Sequence, residues 1–128
     1  MRLLLDTHTL LWFALDDPQL STAAREAITE PANEKFVSPA SYWEIAIKIS
    51  VGKYTLSGPF EDFMSEAIDM NGFQHLHIQP RHAALLTAMP YHHRDPFDRM
   101  LIAQAQTENL TLVSADVAFD AYGVNRSW

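Results

Sequence analysis

Leu3-Leu4-Leu5-Asp6-Thr7 lies almost at the start of the chain, and its reading decides how the rest is organised. Three consecutive aliphatic residues running into a carboxylate describe a short strand buried on both faces that ends in a charge. Such a strand belongs in the middle of a sheet. In open parallel sheets ligands bind at the carboxyl ends of the strands, so Asp6 stands where chemistry usually occurs. Taken alone, Asp6 is better explained as the N-cap of the helix that Thr7 opens, because Asp is a common cap. Its weight depends on whether other carboxylates join it.

Outward from that strand, helical and extended patterns alternate. Thr9 to Leu15 is apolar almost all round and reads as a covered helix, broken by Asp16-Asp17-Pro18. Ser21 caps a second helix with Leu20, Ala24, Ala27 and Ile28 on one face. Phe36-Val37-Ser38 is a second strand, and Pro39 opens a helix to about Ile49 whose only charges are Glu44 and Lys48. An ordinary Glu-to-Lys pair explains those two at roughly 0.2–0.5 kcal/mol. A carboxylate on so covered a helix, however, is costly unless it is paired or binds a metal.

After a loop from Gly52 to Pro59, Phe60, Phe63, Met64, Ala67 and Ile68 repeat at helical spacing up to Gly72. Gln74 to Ile78 alternates as a strand with Leu76 and Ile78 inward and His75 and His77 opposite, which are read as surface histidines. Pro80 to Met89 is a short helix with Leu85 and Leu86 inward. The most regular helix runs from Phe97 to about Glu108, with Asp95 as N-cap, Pro96 at its first position and Asp98 in its first turn. Cap and dipole account for both acids, yet Ile102, one turn on, places Asp98 at the head of an inward row. Leu110 to Asp116 repeats the opening device of an apolar strand delivering a carboxylate. Asp116 also fits the N-cap of a last helix, Val117 to Tyr122, before Gly123 and a possible final strand from Val124 to Trp128.

Strands alternating with helices and no tight hairpin signal predict a parallel sheet covered on both faces, an α/β sandwich. Asp6 and Asp116 at strand ends, with Glu44 and Asp98 near helix starts, would then converge at one edge of that sheet. Four acids brought together stay ionised only with divalent cations among them, and oxygen-only ligation is what Mg²⁺ or Mn²⁺ prefers.

Composition bounds the function. With 128 residues and 48% hydrophobic content the chain is the size of one domain, 1–128, without repeats or linkers. It has no cysteine, which excludes disulfides and thiolate metal sites, and its longest apolar run cannot span a bilayer, so the expectation is a cytoplasmic protein without membrane association. A net charge of −7 argues against a generic basic nucleic-acid binder and calls for a cationic complement, either metal ions, a basic protein partner or both.

Four ordered blocks carry a family resemblance: LLLDTHTLLWF at Leu3 to Phe13, SPASYWEIAIK at Ser38 to Lys48, HHRDPFDRMLIAQA at His92 to Ala105, and LTLVSAD at Leu110 to Asp116. Together they resemble the PIN-domain nucleases and, within them, VapC-type toxins of type II toxin-antitoxin systems. The resemblance runs along nearly the whole chain. It implies a three-layer PIN-like sandwich with a central parallel sheet of four to five strands. It carries the catalytic and metal-binding role to Asp6, Glu44, Asp98 and Asp116, with Thr7 and Ser114 as the small hydroxyl residues beside them and Asp95 left as a cap. Thr is commoner than Ser at the second of these positions, and the polar ending from Val124 to Trp128 departs from the family's apolar last strand.

The function so implied is a Mg²⁺- or Mn²⁺-dependent endoribonuclease that hydrolyses RNA phosphodiesters. An antitoxin with a basic segment, and a toxin homodimer, are the implied partners. Lys48, Arg94 and Arg99 are the cations nearest the acids in sequence and the candidates for phosphate contacts, with surface ion pairs as the alternative. The alternative function is a catalytically silent PIN-fold module acting only through protein contacts, against which the presence of all four acids counts. A phosphate-receiving response domain is disfavoured because Ser38 and Ser114 occupy the strand ends where that class needs Asp and Lys.

Overall fold

Leu3, Leu4 and Leu5 have no solvent exposure, and in the computed structural model, which describes residues 1–128, they form the middle of a sheet. In chain order the elements are β1 (Arg2–Leu5), α1 (Thr7–Ala14), α2 (Thr22–Thr29), β2 (Glu34–Val37), α3 (Pro39–Ser50) and α4 (Phe60–Met64), which runs on into a π-helical segment (Ser65–Asp69). They continue with β3 (Gln74–His75), α5 (Pro80–Leu86), α6 (Pro96–Glu108), β4 (Thr111–Val113), a 3₁₀ segment (Val117–Tyr122) and β5 (Arg126–Ser127). The sheet order is β3-β2-β1-β4-β5, with every neighbouring pair parallel.

The alternation of a strand explains how three consecutive leucines serve two cores. Leu3 and Leu5 point to one face, where they pack with Leu10, Ile28, Val37 and Ile45. Leu4, opposite Phe36 and Leu112 in register, points to the other, where Leu101, Ile102 and Phe119 cover it. The result is the expected three-layer sandwich.

Helix starts follow the local grammar of the sequence. Asp6, Ser21, Ser38, Asp95 and Asp116 each accept a backbone N–H of the helical segment they precede, satisfying donors that otherwise have no partner. At its far end α6 stops at Asn109, which takes the left-handed conformation at φ 54°, a geometry Asn tolerates better than most residues.

Several details differ from the sequence reading. The segment after Phe60 is not one α-helix; Met70 N–H donates to Ser65 O, the wider spacing of a π-turn, which seats Ala67 and Ile68 in the core. β3 ends at His75, so Ile78, expected inward, is 40% exposed. In α5 the buried side chain is His82, while Leu85 is exposed. The His82 ring accepts from Gln79 N–H through Nδ1 and meets Glu108 through Nε2, so its polar atoms are satisfied and it packs like an apolar residue. β5 is only two residues long, the short strand its polar sequence foretold. No helix is long and apolar enough to cross a membrane.

Because Leu4 fills the core between the sheet and α6, Leu4→Ala is expected to lower unfolding free energy by about 2–5 kcal/mol. The exposed Leu15 provides the control, with Leu15→Ala changing it by no more than about 0.5 kcal/mol. Urea denaturation checks both; equal small losses would remove β1 from the centre of the fold.

Candidate active site

The sheet order reverses between β1 and β4, and in open parallel sheets that reversal leaves a crevice at the carboxyl ends of the strands. Asp6 directly follows β1 on one side of it. Its N–H extends the ladder to Val113 O at 3.2 Å, so the residue is tied to the end of β4. Asp116 follows β4 on the other side, its backbone N–H bonded to Ser114 Oγ at 3.0 Å. Helices that cover a parallel sheet run antiparallel to its strands, which brings the starts of α3 and α6 to the same edge. Glu44, in the second turn of α3, and Asp98, in the first turn of α6, are delivered that way.

The four predicted acids do gather. The carboxyl of Asp98 is pushed up to about 7, first by burial and then by the negative charges of Asp95, Glu44, Asp6 and Asp116. Asp98 therefore lies within electrostatic reach of the other three acids and of Asp95. Asp6 and Glu44 are buried, Asp98 half-buried and Asp116 exposed.

Each acid is fixed differently. Asp6 Oδ1 accepts Thr9 N–H at 2.8 Å, and Asp116 Oδ1 accepts Ala118 N–H at 2.9 Å. Capping uses one oxygen of each and leaves the other free, so a cap and a site residue are compatible roles. Glu44 accepts Thr7 Oγ1–H at 2.8 Å on one oxygen and Lys48 at 2.9 Å on the other. The Glu44–Lys48 pair of the sequence is real: burial works against the charge of Lys48, but the hydrogen bond and the negative charge of Glu44 raise its ammonium above the ordinary lysine value. Asp95 takes Phe97 N–H at 2.8 Å and Asp98 N–H at 3.3 Å, the expected cap.

Of the three candidate phosphate contacts, Arg99 is a correction. It is 5% exposed, donates to Pro90 O at 2.8 Å and Met89 O at 3.2 Å, and lies over the Tyr91 ring at 3.9 Å. It holds the loop before α6 and does not face the crevice. Lys48 and Arg94, with Lys53, line a cleft of about 370 Å³ that also touches Glu44, Asp95 and Phe97. Ile47 and Val51 line the same cleft and are exposed, as is Trp43 one turn before Ile47 on α3.

One residue joins the acids unannounced. A nitrogen of His93 and carboxylate oxygens of Asp98 and Asp116 lie within 4.8 Å of one another. His93 sits in the loop between α5 and α6, where no periodicity in the sequence gives the direction of a side chain; its only signal was proximity to the Asp95 cap.

A model of the PIN domain matches residues 3–125. The chain belongs to the PIN-domain family. Among curated relatives of this PIN domain, ribonuclease VapC22 of Mycobacterium tuberculosis is 31% identical over 114 residues, 88% of this chain and 85% of the relative. Among solved structures, VapBC2 from Rickettsia felis, bound to a DNA fragment from its promoter, superposes with a TM-score of 0.70 at 16% identity, covering 99% of this chain and 98% of that one. VapBC-1 from nontypeable Haemophilus influenzae gives 0.65, also at 16% identity, over 99% and 97% of the two chains. At that identity the structures speak for the fold, and the PIN architecture is the one described above.

Asp98 supplies a test of the crowding. With a folded value of about 7 against 3.8 for the free group, its stabilising contribution is complete below about pH 4 and is lost as pH rises through about 7. In chelator near pH 8, Asp98→Asn is therefore expected to melt at a higher temperature than the unaltered chain, the gap closing toward about pH 4. Scanning calorimetry measures this, and a lower melting temperature near pH 8 would contradict the electrostatic crowding.

Proposed function

We propose that this PIN domain is a divalent-metal-dependent endoribonuclease acting as the toxin of a type II toxin-antitoxin pair. The observation that carries the reading is the convergence of Asp6, Glu44, Asp98 and Asp116 on one crevice, with Asp98 raised first by burial and then by the charge of Asp95 and of the other three. Ionised acids this close need cationic compensation, and Lys48, paired to Glu44, supplies it to only one of them. The donor set, carboxylate oxygens with free lone pairs, suits Mg²⁺ or Mn²⁺. The similarity to a protein named ribonuclease VapC22 supports RNA as substrate.

In this reading Asp6, Asp98 and Asp116 hold the cation. A bound divalent ion supplies Lewis-acid charge and lowers the pKa of water. Glu44, immobilised by Thr7 and Lys48, keeps one lone pair on each oxygen and orients the attacking water. The water oxygen forms a bond to phosphorus as one ester P–O bond breaks; the water's proton passes to Glu44 or solvent and the departing oxygen takes up a proton. Lys48, Lys53 and Arg94 in the adjoining cleft bind flanking phosphates, and the exposed Trp43 offers a face on which a base stacks.

The structural neighbours are VapBC assemblies, which supports an antitoxin partner here. A basic antitoxin segment answers both the net charge of −7 and the acidic crevice. A homodimer is the further assembly that the family resemblance implies.

Purified protein is expected to cleave RNA with Mg²⁺ or Mn²⁺ and not in EDTA, and Asp6→Asn or Asp98→Asn to lower the rate at least roughly 100-fold. Gel-resolved cleavage assays measure this; activity that survives both chelation and substitution defeats the metal-carboxylate reading. Induced expression is expected to arrest growth, and Asp98→Asn to relieve the arrest. Arrest by both forms would indicate a binding module in place of a nuclease.

A further inference from the structure

His93 is a polar side chain at the crevice that the carboxylate mechanism leaves unused. Its side chain is 10% exposed, yet neither ring nitrogen has a hydrogen-bond partner. Burying an imidazole without partners is costly, and folded proteins seldom leave such groups unmatched. Asp116 Oδ2 lies at 3.6 Å from Nε2, beyond hydrogen-bond length.

The ring is nevertheless held in place. It stacks on Phe119 at 5.0 Å with an interplanar angle of 19° and lies against Tyr122 at 5.4 Å. His93 N–H donates to Tyr122 Oη at 2.7 Å, and Arg99 braces the preceding loop through Met89 O and Pro90 O. Several interactions thus fix a ring whose own nitrogens have nothing to bind, and one of those nitrogens stands within 4.8 Å of oxygens from both Asp98 and Asp116.

We propose that His93 is a nitrogen ligand of the cation centre, which makes it a mixed imidazole and carboxylate site favouring Mn²⁺ over Mg²⁺. The inference rests on the reading of the acids as a cation centre and adds a ligand of another type. Imidazole is a borderline donor that suits transition metals, whereas Mg²⁺ prefers oxygen and retains its waters. Held by His93, Asp98 and Asp116, a cation would give the buried ring its missing partner and offset the charge that crowds Asp98. The same reasoning gives a purpose to the buried Arg99 and to Tyr122, which position the loop that carries His93.

Pulsed electron paramagnetic resonance of Mn²⁺ bound to the full chain tests the proposal without reference to activity. The expected result is nitrogen coupling of a directly bound imidazole in the unaltered chain and in His92→Phe, and its loss in His93→Phe, where the stack on Phe119 is retained. Loss of even a group that only orients a ligand costs roughly 10- to 100-fold in metal affinity, so Mn²⁺ binding to His93→Phe is expected to weaken at least about tenfold. Mn²⁺ bound without nitrogen coupling in the unaltered chain, coupling that persists in His93→Phe, or unchanged affinity overturns the ligand role and leaves the carboxylate centre standing. If the unaltered chain binds no Mn²⁺, the cation centre and this inference fall together. The spectrum of the unaltered chain is decisive even if His93→Phe folds poorly.

Discussion

Carboxylates that repel one another are held together here by the parallel pairing of β1 on both of its edges. β2 on one side and β4 on the other leave the middle strand no freedom to slide, and a slip of one residue would turn Leu4 and Leu5 to the wrong cores. The ladder extends past the strand to Asp6 N–H and Val113 O, and Thr9 Oγ1–H also donates to Val113 O at 2.8 Å. Asp6 is thus tied to β4, whose continuation carries Asp116. The apolar layers on the two faces supply the free energy that opposes the repulsion, and a cation in the crevice would relieve it.

The acids divide their labour oxygen by oxygen. Asp6 and Asp116 each use Oδ1 to start a helical segment, Glu44 is clamped by Thr7 and Lys48, and Asp98 meets negative charge from several sides. The structural role of a capping carboxylate and its role at a site are therefore not alternatives. One hydrogen bond fixes the side chain, and the second oxygen is presented to the crevice without the entropy loss of a free rotor.

Much of the site was legible along the chain because it is built from element ends. An apolar run stopping at Asp6 or Asp116, a proline opening α3 or α6, and the cap at Asp95 are local signals, and each leads to a residue at the carboxyl edge of a parallel sheet. The errors fall where local pattern and packing disagree. Strand alternation places Ile78 inward and helical pattern places Leu85 inward, yet both are exposed, because β3 ends after two residues and His82 is the buried side chain of α5. Sequence proximity to the acids makes Arg99 a candidate phosphate contact, but it is buried, and the carbonyls of Met89 and Pro90 and the Tyr91 ring receive its charge.

The sequence by itself determined the alternation of strands and helices, the central place of Leu3 to Leu5 and the positions of the four acids relative to their elements, since these depend on periodicity, capping and turn chemistry within a few residues. Only the tertiary structure decided that burial and those acids together raise Asp98, that Glu44 is locked by Thr7 from another helix, and that His93 turns from a loop toward Asp98 and Asp116. These are contacts between residues far apart in the chain. Their geometry comes from the packing of whole layers on the sheet, which no local pattern encodes.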